Sequence, residues 1–107
     1  MDNSILTPLI SDELSLPESG ISNTLQLLAD GCTIPFISRY RKERTGGLDE
    51  VQIAAISEMN DRLNETARRK DTIIKTITEQ GKMTGELKLR IDRCWNATEL
   101  EDIYLPY

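Results

Sequence analysis

The stretch Asp49–Glu79, DEVQIAAISEMNDRLNETARRKDTIIKTITE, decides the class of this fold. It contains neither glycine nor proline, and Ile53, Ile56, Met59, Leu63, Ala67, Ile74 and Ile77 recur at the three- and four-residue spacing of one helical face. Asp49 suits the N-cap, with Glu50 placed to favour the positive end of the helix dipole. Gly81 supplies the stop. The reading is one long helix over 49–79. Between Asn60 and Thr72 only Leu63 and Ala67 are apolar, so the middle is expected to stand partly clear of the core or to rest on something outside this chain.

Upstream, Ile5, Leu6, Leu9, Ile10 and Leu14 mark a first amphipathic helix. It starts either at Thr7, with Pro8 in the first helical position, or at Ser4 with a bend at Pro8. Pro17 suits the first turn of a second helix, which turns Ile21, Leu25 and Leu28 inward and ends at Asp30-Gly31. A short third helix around Pro35, Phe36, Ile37 and Tyr40 breaks at Thr45-Gly46-Gly47. The second and third helices have the order of a helix-turn-helix, although an acidic second helix would sit poorly against DNA. Downstream, Thr84 caps a helix through Leu87, Leu89, Ile91 and Cys94-Trp95. Thr98 with Glu101 has the pattern of a capping box for a last helix through Leu100 and Ile103. With no strand-like alternation and no repeat, the class is all-α: a multi-helix domain spanning 1–107.

Composition fits that class. The chain has 107 residues, the usual size of one domain, and its 5% aromatic content implies an aliphatic core. Cys32 and Cys94 lie far apart, outside any metal-spaced pattern, and read as small buried hydrophobes in a reducing compartment. The first twenty residues hold no Lys or Arg and no long apolar run, so no signal peptide is expected. No segment has the length of a membrane span, and the expected location is the cytoplasm.

The chain has no histidine. That removes the commonest acid–base catalyst at neutral pH and the usual partner of serine or cysteine nucleophiles. It also removes His-containing zinc sites, and two distant cysteines cannot build a four-cysteine one. The pairs Glu58–Arg62, Glu65–Arg69, Asp71–Lys75 and Glu86–Arg90, acid first at i,i+4, read as solvated helix-surface pairs rather than catalytic carboxylates. Thr45-Gly46-Gly47 leads into Leu48-Asp49 and not Gly-Lys-Ser/Thr, so it is a turn and not a phosphate loop. We therefore expect no enzyme activity, no metal and no cofactor.

Net charge is −5, against a free-standing DNA-binding module, but its distribution is uneven. Residues 1–38 carry five acids and no base; the first base is Arg39. Then Arg39-Tyr40-Arg41-Lys42-Glu43-Arg44 concentrates a net +3 in six residues. One reading makes Arg39, Arg41, Lys42 and Arg44 phosphate contacts, with Tyr40 packing inward or offering a stacking surface. The plainer reading is a helix C-terminus whose bases complement the dipole and pair with the acidic first segment. Arg68-Arg69-Lys70 is a second basic cluster, partly answered by Glu65.

Ile34 to Glu50, IPFISRYRKERTGGLDE, closely resembles the N-terminal domain of the bacterial transcription accessory protein Tex family. Ile77–Leu87, ITEQGKMTGEL, and Thr98–Tyr107, TELEDIYLPY, resemble two further signatures of that family in the same order. With the preceding LLADG, the resemblance covers roughly residues 16–107; the acidic first segment and what reads as one extra residue near Ser19-Gly20 depart from it. It implies a much longer chain that continues into a ribonuclease-H-like domain, helix-hairpin-helix elements and a C-terminal RNA-binding OB-fold. It further implies binding of RNA or DNA, chiefly through those absent domains, and a link to the transcription machinery. No family catalytic residue maps onto this chain. The alternative role is a protein–protein interaction domain, with the acidic first segment and the polar middle of the long helix as its surface.

Overall fold

The Asp49 cap is reciprocal. The Asp49 carboxylate accepts from the Gln52 backbone N–H at 2.7 Å, and the Gln52 side-chain oxygen accepts from the Asp49 N–H at 3.0 Å. Two donors left orphaned at the helix start are satisfied together. The helix they open runs Glu50–Glu79, 30 residues. A computed structural model describes residues 5–107 and shows only helices and connecting turns among them. They fall into two compact units, one ending at Asp61 and the other running from Arg62 to Tyr107, so the long helix contributes to both.

In the first unit α1 is Leu6–Leu14, α2 Glu18–Ala29, α3 Ile34–Tyr40 and α4 Lys42–Thr45, followed by the start of the long helix, α5 (Glu50–Glu79). Pro8 falls in the first turn of α1, where its missing N–H costs no intrahelical bond. Thr7 does not cap this helix. It lies inside it and is buried with Leu6 and Ile10; Ser4, the other expected start, falls outside the described residues. Pro17 stands at the cap position of α2, just before the first turn. Gly31 ends that helix at φ +95°, donating its N–H to the Leu28 carbonyl. Helix α2 packs against α1, α3 and α4. Its buried face is Ile21, Thr24, Leu25 and Leu27, so Leu27 rather than Leu28 joins Leu25 in the core.

In the second unit α5 packs with α6 (Gly85–Arg93) and α7 (Ala97–Tyr104) around Ile73, Ile77, Leu87, Ile91 and Leu100. Thr84 caps α6 as expected, accepting from the Leu87 N–H at 3.0 Å. Helix α6 ends at Arg93, before Cys94-Trp95, and Leu89 points to solvent. Helix α7 begins earlier than the Thr98 reading placed it. Asn96 is its cap, accepting from the Glu99 N–H at 3.0 Å, and Glu101 is drawn elsewhere. The cysteines are free and half-buried rather than buried, with Cys94 against the core of its unit.

Along α5 the buried positions are Ile53, Ile56, Leu63, Thr66, Lys70, Ile73 and Ile77. Ile73 replaces Ile74 in the stripe, and the middle of the helix is not clear of packing. The stripe passes through it on Thr66, whose hydroxyl donates to the Arg62 carbonyl at 3.1 Å, and on Lys70. A pattern search that counts only apolar residues loses a face continued by polar ones.

Candidate nucleic-acid interface

The basic run does not lie on one helix. Thr33 caps α3, accepting from the Phe36 N–H at 3.3 Å, and Ile37 and Ser38 bury its inner face. The helix ends at Tyr40. Arg41 breaks the path at φ −129°, ψ 31°, and a second short turn, α4, carries Lys42, Glu43 and Arg44. Gly46 and Gly47, both at positive φ, close that turn by donating their N–H groups to the Lys42 carbonyl.

The turn is fastened to α2 through its backbone. The Asn23 side-chain amide donates to the Arg44 carbonyl at 2.7 Å, and the buried Thr45 hydroxyl accepts from the Leu48 N–H at 3.2 Å. Gly20 lies so close that an added methyl would come within 2.6 Å of the Thr45 carbonyl oxygen. The two contacts with α2 use the carbonyls of Arg44 and Thr45 and leave the basic side chains outside. Arg39, Lys42 and Arg44 are exposed, and none of them forms an ion pair among the described residues. The expected pairing with the acidic first segment is not made by Asp12, Glu13, Glu18 or Asp30; Asp2 lies outside the described residues.

Arg41 behaves differently. Its guanidinium lies 5.4 Å from the Phe36 ring centroid, donates to the Tyr40 carbonyl at 3.3 Å and reaches Glu43 at 3.9 Å. Tyr40 does not pack inward. It is 63% exposed, with its ring centroid 5.4 Å from that of Phe36, which is 38% exposed. Phe36 is the residue sequence reasoning missed; its place one turn before Tyr40, at i,i+4, was the available signal.

The second basic cluster is answered internally. Arg69 holds the Glu101 carboxylate through Nε at 3.0 Å and Nη2 at 2.7 Å, with its guanidinium 5.4 Å from the Tyr104 ring. The hydrogen bond to Glu101 raises its pKa further above the ordinary arginine value. Glu65 is therefore not its partner. None of the four i,i+4 pairs expected from sequence closes into an ion pair among the described residues, although all eight side chains are solvated as expected. Ordering two long exposed side chains costs about as much as such a pair returns. Lys70 is buried, at 5% exposure. Its ammonium donates to the Asp92 carbonyl at 2.8 Å and sits 3.4 Å from the Trp95 ring centroid. Burial pushes its pKa down, with Cys94, Asp92 and Asp71 pulling it back up.

Residues 4–78 match the family model of the Tex-like protein N-terminal domain. The chain belongs to that family. The Tex-like match takes in all of Ile34–Glu50 and ends in the last turn of α5, while the two later signatures are reached by whole-chain relatives. The transcriptional accessory protein Tex of Neisseria gonorrhoeae is 46% identical over 102 residues, 95% of this chain and 14% of that protein. Protein tex of Bordetella pertussis is 37% identical over 107 residues, 100% of this chain and 14% of that one. The human S1 RNA-binding domain-containing protein 1 is 29% identical over 102 residues, 95% of this chain and 10% of its own length. The Tex-like chain thus spans about 14% of the bacterial relatives it matches.

Proposed function

We propose that this Tex-like chain is the non-catalytic N-terminal helical module of a nucleic-acid-binding transcription accessory protein working in the cytoplasm. In this reading Arg39, Arg41, Lys42 and Arg44 contact nucleic-acid phosphates, and α5 serves as a scaffold for domains further along the parent chain. One observation carries it: Arg39 on α3 and Lys42 and Arg44 on α4 are exposed and form no ion pair among the described residues, while the backbone of α4 is locked to α2. A basic segment that existed to hold the fold together would spend its charges on neighbours. The names of the relatives, which speak of transcription and of an S1 RNA-binding domain, agree with this direction.

The test is a salt titration of binding, by fluorescence anisotropy, to RNA and DNA for the wild type and the triple variant Arg39→Ala, Lys42→Ala, Arg44→Ala. Each lost phosphate contact lowers the slope of log affinity against log salt by about 0.7 on a single strand or about 0.9 on a duplex. The triple variant is expected to lose roughly 2 of slope on a single strand. An unchanged slope, or a wild type without salt-dependent affinity, would overturn the assignment.

A further inference from the structure

The guanidinium of Arg41 and the rings of Phe36 and Tyr40 form one continuous surface at the end of α3. Each neighbouring pair is separated by 5.4 Å between centres, and the rings are tilted by 48°. Aromatic groups of this size are normally turned inward, because each buries a large apolar area. Here Tyr40 keeps most of its surface in water, while the aliphatic neighbour Ile37 takes the core position. Phe36 also borders a shallow depression of about 330 Å³ lined by Asp30, Gly31, Cys32 and Thr33. Arg39 and Lys42 flank Tyr40 and Arg41 in sequence and are exposed with no ion pair among the described residues, and the acids beside the patch are Glu43, which Arg41 reaches, and Asp30 in the depression.

We infer that Tyr40 and Phe36 stack unpaired bases, which makes this surface selective for single-stranded nucleic acid over duplex. The inference rests on the phosphate-contact reading above and adds a recognition element to it. Cations alone bind any polyanion, and a duplex, with the denser charge, would be favoured by them. An exposed ring changes the order. A base in a duplex has both faces covered by its neighbours, whereas a base in a single strand can leave the stack and lie on a tyrosine. Arg39 and Lys42, one and two residues from Tyr40 and both exposed, supply the cations for the backbone of the same strand. Arg41 lies over the Phe36 ring and donates to the Tyr40 carbonyl, which leaves Tyr40 as the more open of the two rings. The stacking chemistry is common to RNA and DNA, since both offer the same flat base faces.

The experiment measures binding of this chain to an oligouridylate, an oligothymidylate and a blunt duplex of the same length at one salt concentration. The proteins are the wild type, Tyr40→Ala, Tyr40→Trp and the triple basic variant. Tyr40 is mostly exposed, so its replacement leaves the core intact; a thermal melt of each variant checks this. Tyr40→Ala is expected to weaken single-strand binding about ten-fold while leaving the duplex within about two-fold, and Tyr40→Trp to keep or strengthen it. The triple variant is expected to weaken all three ligands. If Tyr40→Ala leaves the single-strand to duplex ratio unchanged while the triple variant weakens both, base stacking is overturned and phosphate contact stands. If the triple variant changes nothing, the phosphate reading fails and takes this one with it. Loss by Tyr40→Ala that Tyr40→Trp does not restore also overturns it, because any flat ring serves for stacking.

Discussion

Arg39–Arg44 and Arg68–Lys70 are both runs of bases on helical segments, and composition alone ranks them together. The fold treats them oppositely. Helices α6 and α7 fold back on α5 and bring Glu101, Tyr104, Trp95 and the Asp92 carbonyl to Arg69 and Lys70. Around Arg39, Lys42 and Arg44 the returning chain grips the backbone and stops there. A basic run is therefore read by what the rest of the chain delivers to it. In the second cluster Arg69 and Lys70 are spent on contacts within their unit, and in the first Arg39, Lys42 and Arg44 keep their charge in solvent.

The sharpest way to break this contrast is Lys70→Ala. It removes the buried stem over Trp95 and leaves the Asp92 carbonyl without its donor, so chemical denaturation should show a loss of roughly 3 kcal/mol. Lys70→Met keeps the volume and the contact with the indole, and is expected to cost about 1 kcal/mol or less. Equal losses in the two would mean that the charge, rather than the packing, holds Lys70 in place.

Next comes the anchoring of the other cluster. Gly20→Ala pushes a methyl into the Thr45 carbonyl and should destabilise the chain by about 2 kcal/mol. It should also weaken nucleic-acid binding without touching a base. The triple variant Arg39→Ala, Lys42→Ala, Arg44→Ala should leave stability within about 0.5 kcal/mol, because those side chains are exposed and form no ion pair among the described residues. A thermal melt that falls with the triple variant would erase the distinction between the clusters.

The smallest effect is in pH. Below its lowered pKa, Lys70 carries its proton in both folded and unfolded states, and the cost of burying the charge is fully present. Between that value and the ordinary lysine value of 10.5, the unfolded chain holds more protons than the folded one, so stability rises with pH. The wild type should therefore gain on Lys70→Met as pH climbs toward 10.5 in denaturant titrations. Other groups titrating there cancel in the comparison.

Much of this fold was legible where a local rule has one answer. The Asp49 cap, the glycine stops at Gly31 and Gly81 and the Thr84 cap each depend on neighbours within a turn, and each is found where the sequence puts it. Legibility ended where distant chain arrives. Asn96 and Thr98 both stand three residues before a glutamate, and what separates them is that Glu101 is taken by Arg69, more than thirty residues away. Lys70 looked like a solvated base because nothing local shows that Trp95 will cover it. The candidate interface was half legible. Its four cations were named from composition, but the break at Arg41 and the outward turn of Phe36 and Tyr40 depend on how α3 settles on α2.

The continuity of α5 has a practical consequence. The boundary between the two units falls inside an unbroken run of helical hydrogen bonds, not in a loop. A protease that needs slack chain finds none at Asp61-Arg62. A gene truncated there would give each half a raw helix end, with up to four unanswered carbonyls on one and four unanswered N–H groups on the other. Anyone dividing this chain between its two units must therefore supply a new cap on each side of the cut.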